Sequence, residues 1–293
     1  MYSAQRRQEI LKLIQQTGLV SVDDLAARFA VSPSTIRRDL NELHRLGVVQ
    51  RTYGGALTPD SPSSEAPFNV RVTSRHEEKD RIGKAAAELV RPGETIFIDG
   101  GTTTEYMLTH LPAALAERDN GLASTGSTGS ATGSASTGSA STGSASTGSA
   151  GGSRTTVVTY GLNIVQRLID QEHITIVLIG GILHTPTLTF GGVFAADSFE
   201  GYNMRFDKAF MAASGVSAEA GITNAGFEEI PIKRRAMRSA RESIMLADST
   251  KIGVIAAGVV APTEQLTRLI TTTEAPPQEI DALRRHGVLV DLV

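Results

Sequence analysis

The sequence predicts an α/β protein: an N-terminal winged helix-turn-helix, then a mostly parallel sheet with helices on both faces. Three observations predict it. Apolar residues recur at helical spacing through the first 46 positions, broken by cap and glycine signals. From Glu77 onward, short apolar strands alternate with helical stretches. Of the 293 residues, 40% are hydrophobic and 20% charged, enough to bury two cores. There is no cysteine, which excludes disulfides, thiolate zinc sites and cysteine nucleophiles. No cofactor and no metal is expected.

The first helix is read over Ser3 to Gln16, with Ile10, Leu13 and Ile14 on one face and Gly18 as its stop. Ser21 caps a second helix, with Asp24 in its positive first turn. Ser32 caps a third, with Pro33 at its first position and Gly47 beyond its end. The short turn between the last two makes a helix-turn-helix. In the third helix Ile36, Leu40 and Leu43 form the buried face. Ser34, Arg38, Asn41 and Arg45 lie opposite, flanked by Thr35 and Arg37. Arginine pairs with guanine edges, asparagine with adenine, and a Ser/Thr cap region with phosphate. The same pattern also suits an ordinary solvated helix face. Asp39 falls towards the buried side, where it would orient an arginine or a neighbouring helix. Val48 to Leu57 reads as a hairpin wing, with Arg51 placed for a minor groove or a phosphate.

Charge agrees with a nucleic-acid-binding head. The net charge is −3, but residues 1–58 carry eight basic and five acidic side chains, against twenty and twenty-six in the remainder. The run Ser32-x-Ser34-Thr35-Ile36-Arg37-Arg38-Asp39-Leu40-x-x-Leu43, with Gly47 and Arg51-x-Tyr53-Gly54-Gly55-Ala56, resembles the N-terminal signature of DeoR-type bacterial transcription regulators.

Two stretches interrupt the folded text. Thr58 to Pro67 holds three prolines and no large apolar residue, and reads as an extended connector. Every residue from Ser124 to Ser153 is Gly, Ala, Ser or Thr, with Thr-Gly-Ser-Ala-Ser recurring from Thr132, Thr137 and Thr142. Nothing there offsets ordering entropy, so a disordered linker is expected, natural or engineered, with an end-to-end distance on the order of 30 Å. The expected organisation is therefore 1–58 for the DNA-binding domain, 59–74 for the connector and 75–293 for the α/β domain.

In the α/β part, strands are expected at Thr95–Asp99, Thr155–Thr159, Ile174–Ile179, Lys208–Met211, Ser243–Leu246, Leu269–Thr272 and Val288–Val290. Helices are expected at Ile82–Val90, from the glycine turn to Leu111, from Asn163 to Ile169, and at Ile230–Arg241 and Gln278–His286. Ligands of such sheets sit at the carboxyl ends of the strands. Gly100-Gly101-Thr102-Thr103-Thr104 joins a strand to a helix N-terminus, where N–H groups, the helix dipole and hydroxyls can cradle phosphate. It is neither a Walker loop nor a dinucleotide fingerprint. Asn163, Asp207, Glu229, Lys233 and Lys251 fall near turns of the same kind, with Lys233 expected to reach the phosphate.

These positions also carry a resemblance. Ile96-x-x-Asp99-Gly100-Gly101-Thr102-Thr103-Thr104, Leu162-Asn163, Phe190-Gly191-Gly192, Lys233-Arg234-x-Ala236-Met237 and Asp248-Ser249-x-Lys251 resemble the sensor domain of the same DeoR family. The resemblance implies a fold similar to ribose-5-phosphate isomerase and glucosamine-phosphate deaminase, and a phosphorylated sugar as effector. Tyr160 departs from it, standing where the family often has asparagine. The resulting expectation is a cytoplasmic, homo-oligomeric, operator-binding repressor controlled by a phosphosugar. The alternative is a sugar-phosphate isomerase-like enzyme with a DNA-binding head, using Asp207, Glu229 and Lys233 for acid–base chemistry. No apolar run approaches the ~20 residues a membrane span needs.

Overall fold

The computed structural model describes residues 3–17, 19–46, 48–51, 55–57, 68–125 and 154–293. The expected stops at Gly18 and Gly47, the Tyr53-Gly54 part of the wing, the connector up to Pro67 and the low-complexity stretch beyond Thr125 lie outside these residues.

The head comprises α1 (Ser3–Thr17), β1 (Leu19–Ser21), α2 (Val22–Phe29), α3 (Pro33–Arg45), β2 (Gln50–Arg51) and β3 (Gly55–Leu57). Its core gathers Ile10, Ile14, Leu25, Ile36, Leu40 and Leu43 under the wing residues Val49 and Ala56. Ser21 accepts the Asp24 amide at 3.0 Å and Ser32 the Thr35 amide at 3.3 Å, so both caps form as read. Between α2 and α3, Ala30 takes a left-handed φ of 51° while its N–H closes the second helix. The wing has a strand that the sequence did not suggest: β1 pairs antiparallel with β3, which also pairs with β2. A three-residue strand is too short to show periodicity.

The body continues with α4 (Phe68–Arg71), α5 (His76–Ala87), β4 (Thr95–Ile98), α6 (Thr102–Thr125), β5 (Thr155–Thr159), α7 (Leu162–Leu168) and β6 (Ile174–Leu178). Then come β7 (Ile182–His184), β8 (Thr189–Gly191), α8 (Val193–Tyr202), β9 (Phe206–Met211), β10 (Gly215–Ser217) and β11 (Gly221–Asn224). The chain ends with α9 (Ile230–Ser239), β12 (Ala240–Leu246), β13 (Gly258–Ala261), β14 (Arg268–Thr271), α10 (Pro277–Arg285) and β15 (Leu289–Leu292).

Seven strands form one parallel sheet in the order β15-β14-β12-β9-β4-β5-β6. Alternation along the strands feeds two cores. Ile96, Ile98, Val157, Phe210, Ile244 and Ile270 face α5, α6 and α7. Phe97, Val158, Ala209, Met211, Met245 and Leu269 face α8, α9 and α10. β10, β11 and β13 make a small antiparallel sheet, and β7 and β8 a hairpin. Among the described residues no helix is long and apolar enough to cross a membrane.

α6 does not stop at Leu111. It continues past Pro112 to Thr125, two residues into the stretch read as linker. A proline removes one helical hydrogen bond, and burial of Leu108, Leu111 and Leu115 against the sheet outweighs that loss.

Candidate effector site and nucleic-acid face

On α3, Ser34, Arg37, Arg38, Asn41 and Arg45 are exposed and Thr35 is half-buried, while Ile36, Leu40 and Leu43 are buried. The expected outward face is therefore the outward face. Ser32 Oγ lies 2.8 Å from Ser34 Oγ and 2.9 Å from Thr35 Oγ1, a knot of hydroxyls at the helix N-terminus. Arg45 is engaged with Glu42 at 2.6 and 3.1 Å. Arg37 and Arg38 have no partner among the described residues. Asp39 turns inward as expected and accepts from Arg6. Arg51 lies in β2 by its backbone, and its side chain falls outside the description.

In the body, strand order singles out one position. From β4 the chain moves to β5 and β6 on one side, then returns to β9 on the other. The crevice of an open parallel sheet lies at such a reversal, beyond the carboxyl ends. Asp99-Gly100-Gly101 leaves β4 there, and Thr102 opens α6. The Thr102 and Thr103 hydroxyls have no protein partner among the described residues, although both side chains are buried. Thr104 Oγ1 lies 2.7 Å from the carbonyl oxygens of both Asp99 and Gly101, so its hydroxyl is spent on its own turn.

Beneath this turn lies a buried charge network. Asp99, 1% exposed, receives the Ala212 N–H at 2.8 Å and the Lys233 ammonium at 2.6 Å on Oδ2. Its Oδ1 accepts from the Tyr160 hydroxyl. Lys233 also donates to Ala212 O at 2.9 Å and lies 3.5 Å from Glu229. Glu229 accepts from Thr189 at 3.0 Å and from Asn224 at 3.1 Å. The network joins the ends of β4 and β9 to the N-terminus of α9. Tyr160, which departs from the resembled pattern, supports Asp99 while stacking on Phe97 at 6.0 Å.

The β7–β8 hairpin closes over the end of β5, with Leu162 N bonded to Leu188 O and Phe190 N to Tyr160 O, each at 2.8 Å. Two glycines are required by this closure. A Cβ on Gly100 would meet Thr189 Cγ2 at 2.5 Å, and one on Gly161 would meet Gly100 Cα at 2.6 Å. Beside Thr189 opens a cavity lined by His184, Pro186, Thr187, Gly226, Glu228 and Glu229, among others.

Gly101, Thr102, Thr103, Thr104, Asn163, Glu229 and Lys233 are thus drawn to one end of the sheet. Lys233 arrives there with its ammonium already shared among Asp99, Glu229 and a carbonyl. That corrects its expected reach to phosphate: buried carboxylates took it first. Asp207 is not in the site. It is the second residue of β9, at the amino edge of the sheet, where it accepts from Thr95 N at 3.0 Å and meets Arg241 at 3.3 Å. In a parallel sheet a residue preceding a strand lies at the opposite edge from one that follows it. Lys251 follows β12, two strands from β4, and makes no bond to the Asp99 network among the described residues. Its charge acts instead on Lys79, near Glu78 and Asp248. Asp99, Glu105, Thr189 and Asn224 were absent from the expected site. Asp99 could have been found as the residue that ends an apolar strand before two glycines.

Comparison with known proteins agrees with both halves. The model of the DeoR-like helix-turn-helix domain matches residues 6–62, and that of the DeoR C terminal sensor domain matches 74–117 and 150–273. The chain belongs to the DeoR family of transcriptional regulators. This DeoR-family chain is 31% identical over 271 residues to the HTH-type transcriptional regulator GolR of Listeria innocua, spanning 92% of this chain and 91% of that one. It is 28% identical to the glycerol-3-phosphate regulon repressor of Escherichia coli K12, over the whole of both chains. Among solved structures, ribose 5-phosphate isomerase A of Methanocaldococcus jannaschii matches 61% of this chain and 55% of its own, at 15% identity and a TM-score of 0.37. The sorbitol operon regulator SorC of Klebsiella pneumoniae matches 94% and 98%, at 11% identity and a TM-score of 0.39. Neither structural likeness is close enough to carry an argument about chemistry.

Proposed function

We propose that this DeoR-family regulator represses sugar-metabolism genes and is controlled by a phosphorylated sugar bound at the carboxyl ends of β4 and β5. One observation carries the reading. Thr102 and Thr103 present hydroxyls with no protein partner among the described residues at the N-terminus of α6, at the reversal point of a parallel sheet. Helix N–H groups and the two hydroxyls would take the phosphate. Asp99 and Lys233 hold the turn in place, Lys233 acting through Asp99 and not by a direct bond.

Ser34, Thr35, Arg37, Arg38, Asn41, Arg45 and Arg51 would meet operator DNA, Arg45 by releasing Glu42. The head, 1–58, acts as a unit on the connector 59–74, and the body, 75–293, senses. The regulator works in the cytoplasm as a homo-oligomer, because one small head reads too few base pairs for useful specificity. Likeness to the glycerol-3-phosphate regulon repressor supports a phosphorylated effector and repression.

The test pairs a thermal-shift screen of sugar phosphates with an operator mobility shift. A binder raises the melting temperature by mass action, and the same compound should alter operator affinity. A compound that stabilises the protein but leaves operator binding unchanged counts against control by that effector.

A further inference from the structure

The chain that leaves the head is fastened to the two elements that flank the candidate effector turn. Phe68, 8% exposed, opens α4 and donates its N–H to Pro186 O at 2.8 Å. Pro186 stands in the turn of the β7–β8 hairpin and lines the cavity beside Thr189. Further along, the Val72 carbonyl accepts from the Tyr106 hydroxyl at 3.0 Å. Tyr106 lies on α6, one turn beyond Thr102 and Thr103. Buried Lys79 of α5 closes the segment by donating to the carbonyls of Arg71 and Ser74. The hairpin is in turn tied to the buried charges: Thr187 Oγ1 lies 2.7 Å from Thr189 Oγ1, which donates to Glu229. Strained backbone stands at both ends of this arrangement. Leu188 and Arg75, neither of them glycine, take left-handed φ values of 58° and 54°. Such conformations persist where surrounding bonds over-determine them, and they recur at switch regions.

From this we infer that residues 68–75 form a clasp that couples the carboxyl end of the sheet to the DNA-binding head. Pro186 cannot follow a ligand in the cavity without shifting its carbonyl against Phe68. The first turn of α6 cannot tilt without carrying the Tyr106 hydroxyl away from Val72. Two elements with separate reasons to move thus hold one short backbone segment, and that segment leads to the head. The ligand-driven use of the clasp rests on the effector site proposed above, whereas the mechanical link does not. Coupling of this kind is reciprocal: if a ligand at the hairpin alters the head, DNA on the head alters the hairpin. The clasp can therefore be tested from the DNA side.

The experiment is hydrogen exchange read by mass spectrometry on the full chain, alone and saturated with a duplex that the wild type has selected from a random-sequence library. In the wild type the duplex should change exchange about fivefold or more in 68–75 and in the hairpin 182–191, neither of which belongs to the head. Tyr106→Phe removes the hydroxyl that holds Val72. Phe68→Pro removes the N–H that holds Pro186, at a helix start that tolerates proline. Both variants should still bind the duplex and should lose the hairpin response. Phe68→Ala, which lacks the ring but keeps the N–H, should retain it. A wild type that binds the duplex without a change in 182–191 overturns the clasp, as does a full hairpin response in either Tyr106→Phe or Phe68→Pro. A hairpin that answers to DNA in a protein that binds no sugar phosphate would leave the clasp standing and overturn the effector reading alone.

Discussion

Arg6 Nε donates to Asp39 Oδ2 at 2.6 Å and ties the first helix of the head to the third. The two residues are 7% and 6% exposed, so the carboxylate that interrupts the arginine-rich face of α3 belongs to the interior. Arg7 stands 3.9 Å from the other carboxylate oxygen. Asp39 therefore sets the angle at which Arg37 and Arg38 are presented. Asp39→Ala, which removes the carboxylate facing a buried guanidinium, should cost roughly 3 kcal/mol of head stability. Urea unfolding followed by circular dichroism measures it, and a change under about 0.5 kcal/mol would place the pair among ordinary surface contacts.

Arg38→Ala should weaken operator binding by about 1 to 3 kcal/mol and relax discrimination at one position, as for a groove-facing arginine. The side chain is exposed and has no internal partner among the described residues, so the substitution should leave the fold intact. A mobility shift at fixed salt decides it. Unchanged binding by a folded variant would return this face of α3 to ordinary solvated surface.

Thr103→Val and Lys233→Met should separate two kinds of loss. The threonine change removes a hydroxyl with no protein partner, so effector affinity should drop about tenfold, or about 1.4 kcal/mol, with little change in melting temperature. The lysine change strands Asp99 and Glu229 as buried carboxylates and should cost about 3 to 5 kcal/mol of stability. Calorimetric titration and a thermal melt of each variant resolve the pair. Full stability in Lys233→Met would mean the carboxylates do not depend on its ammonium.

Lys79, 2% exposed, donates to Ser74 O at 2.7 Å and to the carbonyl of Arg71. Burial holds its ammonium down at about 8, against an ordinary 10.5, with Asp248 opposing the shift. Between those values the unfolded chain binds more protons than the folded one, so this group adds stability as pH rises. Its contribution changes by up to ~1.4 kcal/mol per pH unit in that window. Urea midpoints for the wild type and Lys79→Met, compared from pH 7.5 to 10.5, should diverge in favour of the wild type. A constant difference would mean that Lys79 titrates as it would in water.

Replacing 126–153 by a Gly–Ser loop long enough to avoid strain should leave melting temperature and effector affinity nearly unchanged. The composition offers no apolar anchor, and loop closure depends weakly on length. A collapse of either quantity would assign the stretch a structural role.

Much of this architecture was legible in the residues. Ser21, Ser32 and Pro33 announce their helices by capping chemistry that acts locally, so α2 and α3 begin where they were read. The strands of the parallel sheet are short apolar runs, and all seven were recognised within three residues. β1, β10, β11 and β13 were not, because three or four residues stabilised by distant partners leave no period. The continuation of α6 past Pro112 depended on what Leu111 and Leu115 pack against, which no local signal carries. The site was read in part. Gly101 to Thr104 and Asn163 follow strands and stand together at the carboxyl end of the sheet. Asp207 stands at the start of its strand, and the parallel-sheet rule alone would have removed it. The pairing of Lys233 with Asp99 spans 134 positions and is a product of tertiary structure.

The parallel sheet also separates two inheritances. At its amino edge Glu94, Asp207, Lys208 and Arg241 bind strand to strand. At its carboxyl edge stand Asp99, Asn163 and Glu229. The six residues of β9 put roughly 20 Å between the two edges. Changes at such a distance, with no shared partner, add independently. Substitutions at one rim therefore leave the cost of substitutions at the other unchanged. The Gly/Ala/Ser/Thr stretch re-enters at Arg154, on the amino rim, so a change in its length falls about one sheet-width from Asp99, Asn163 and Glu229.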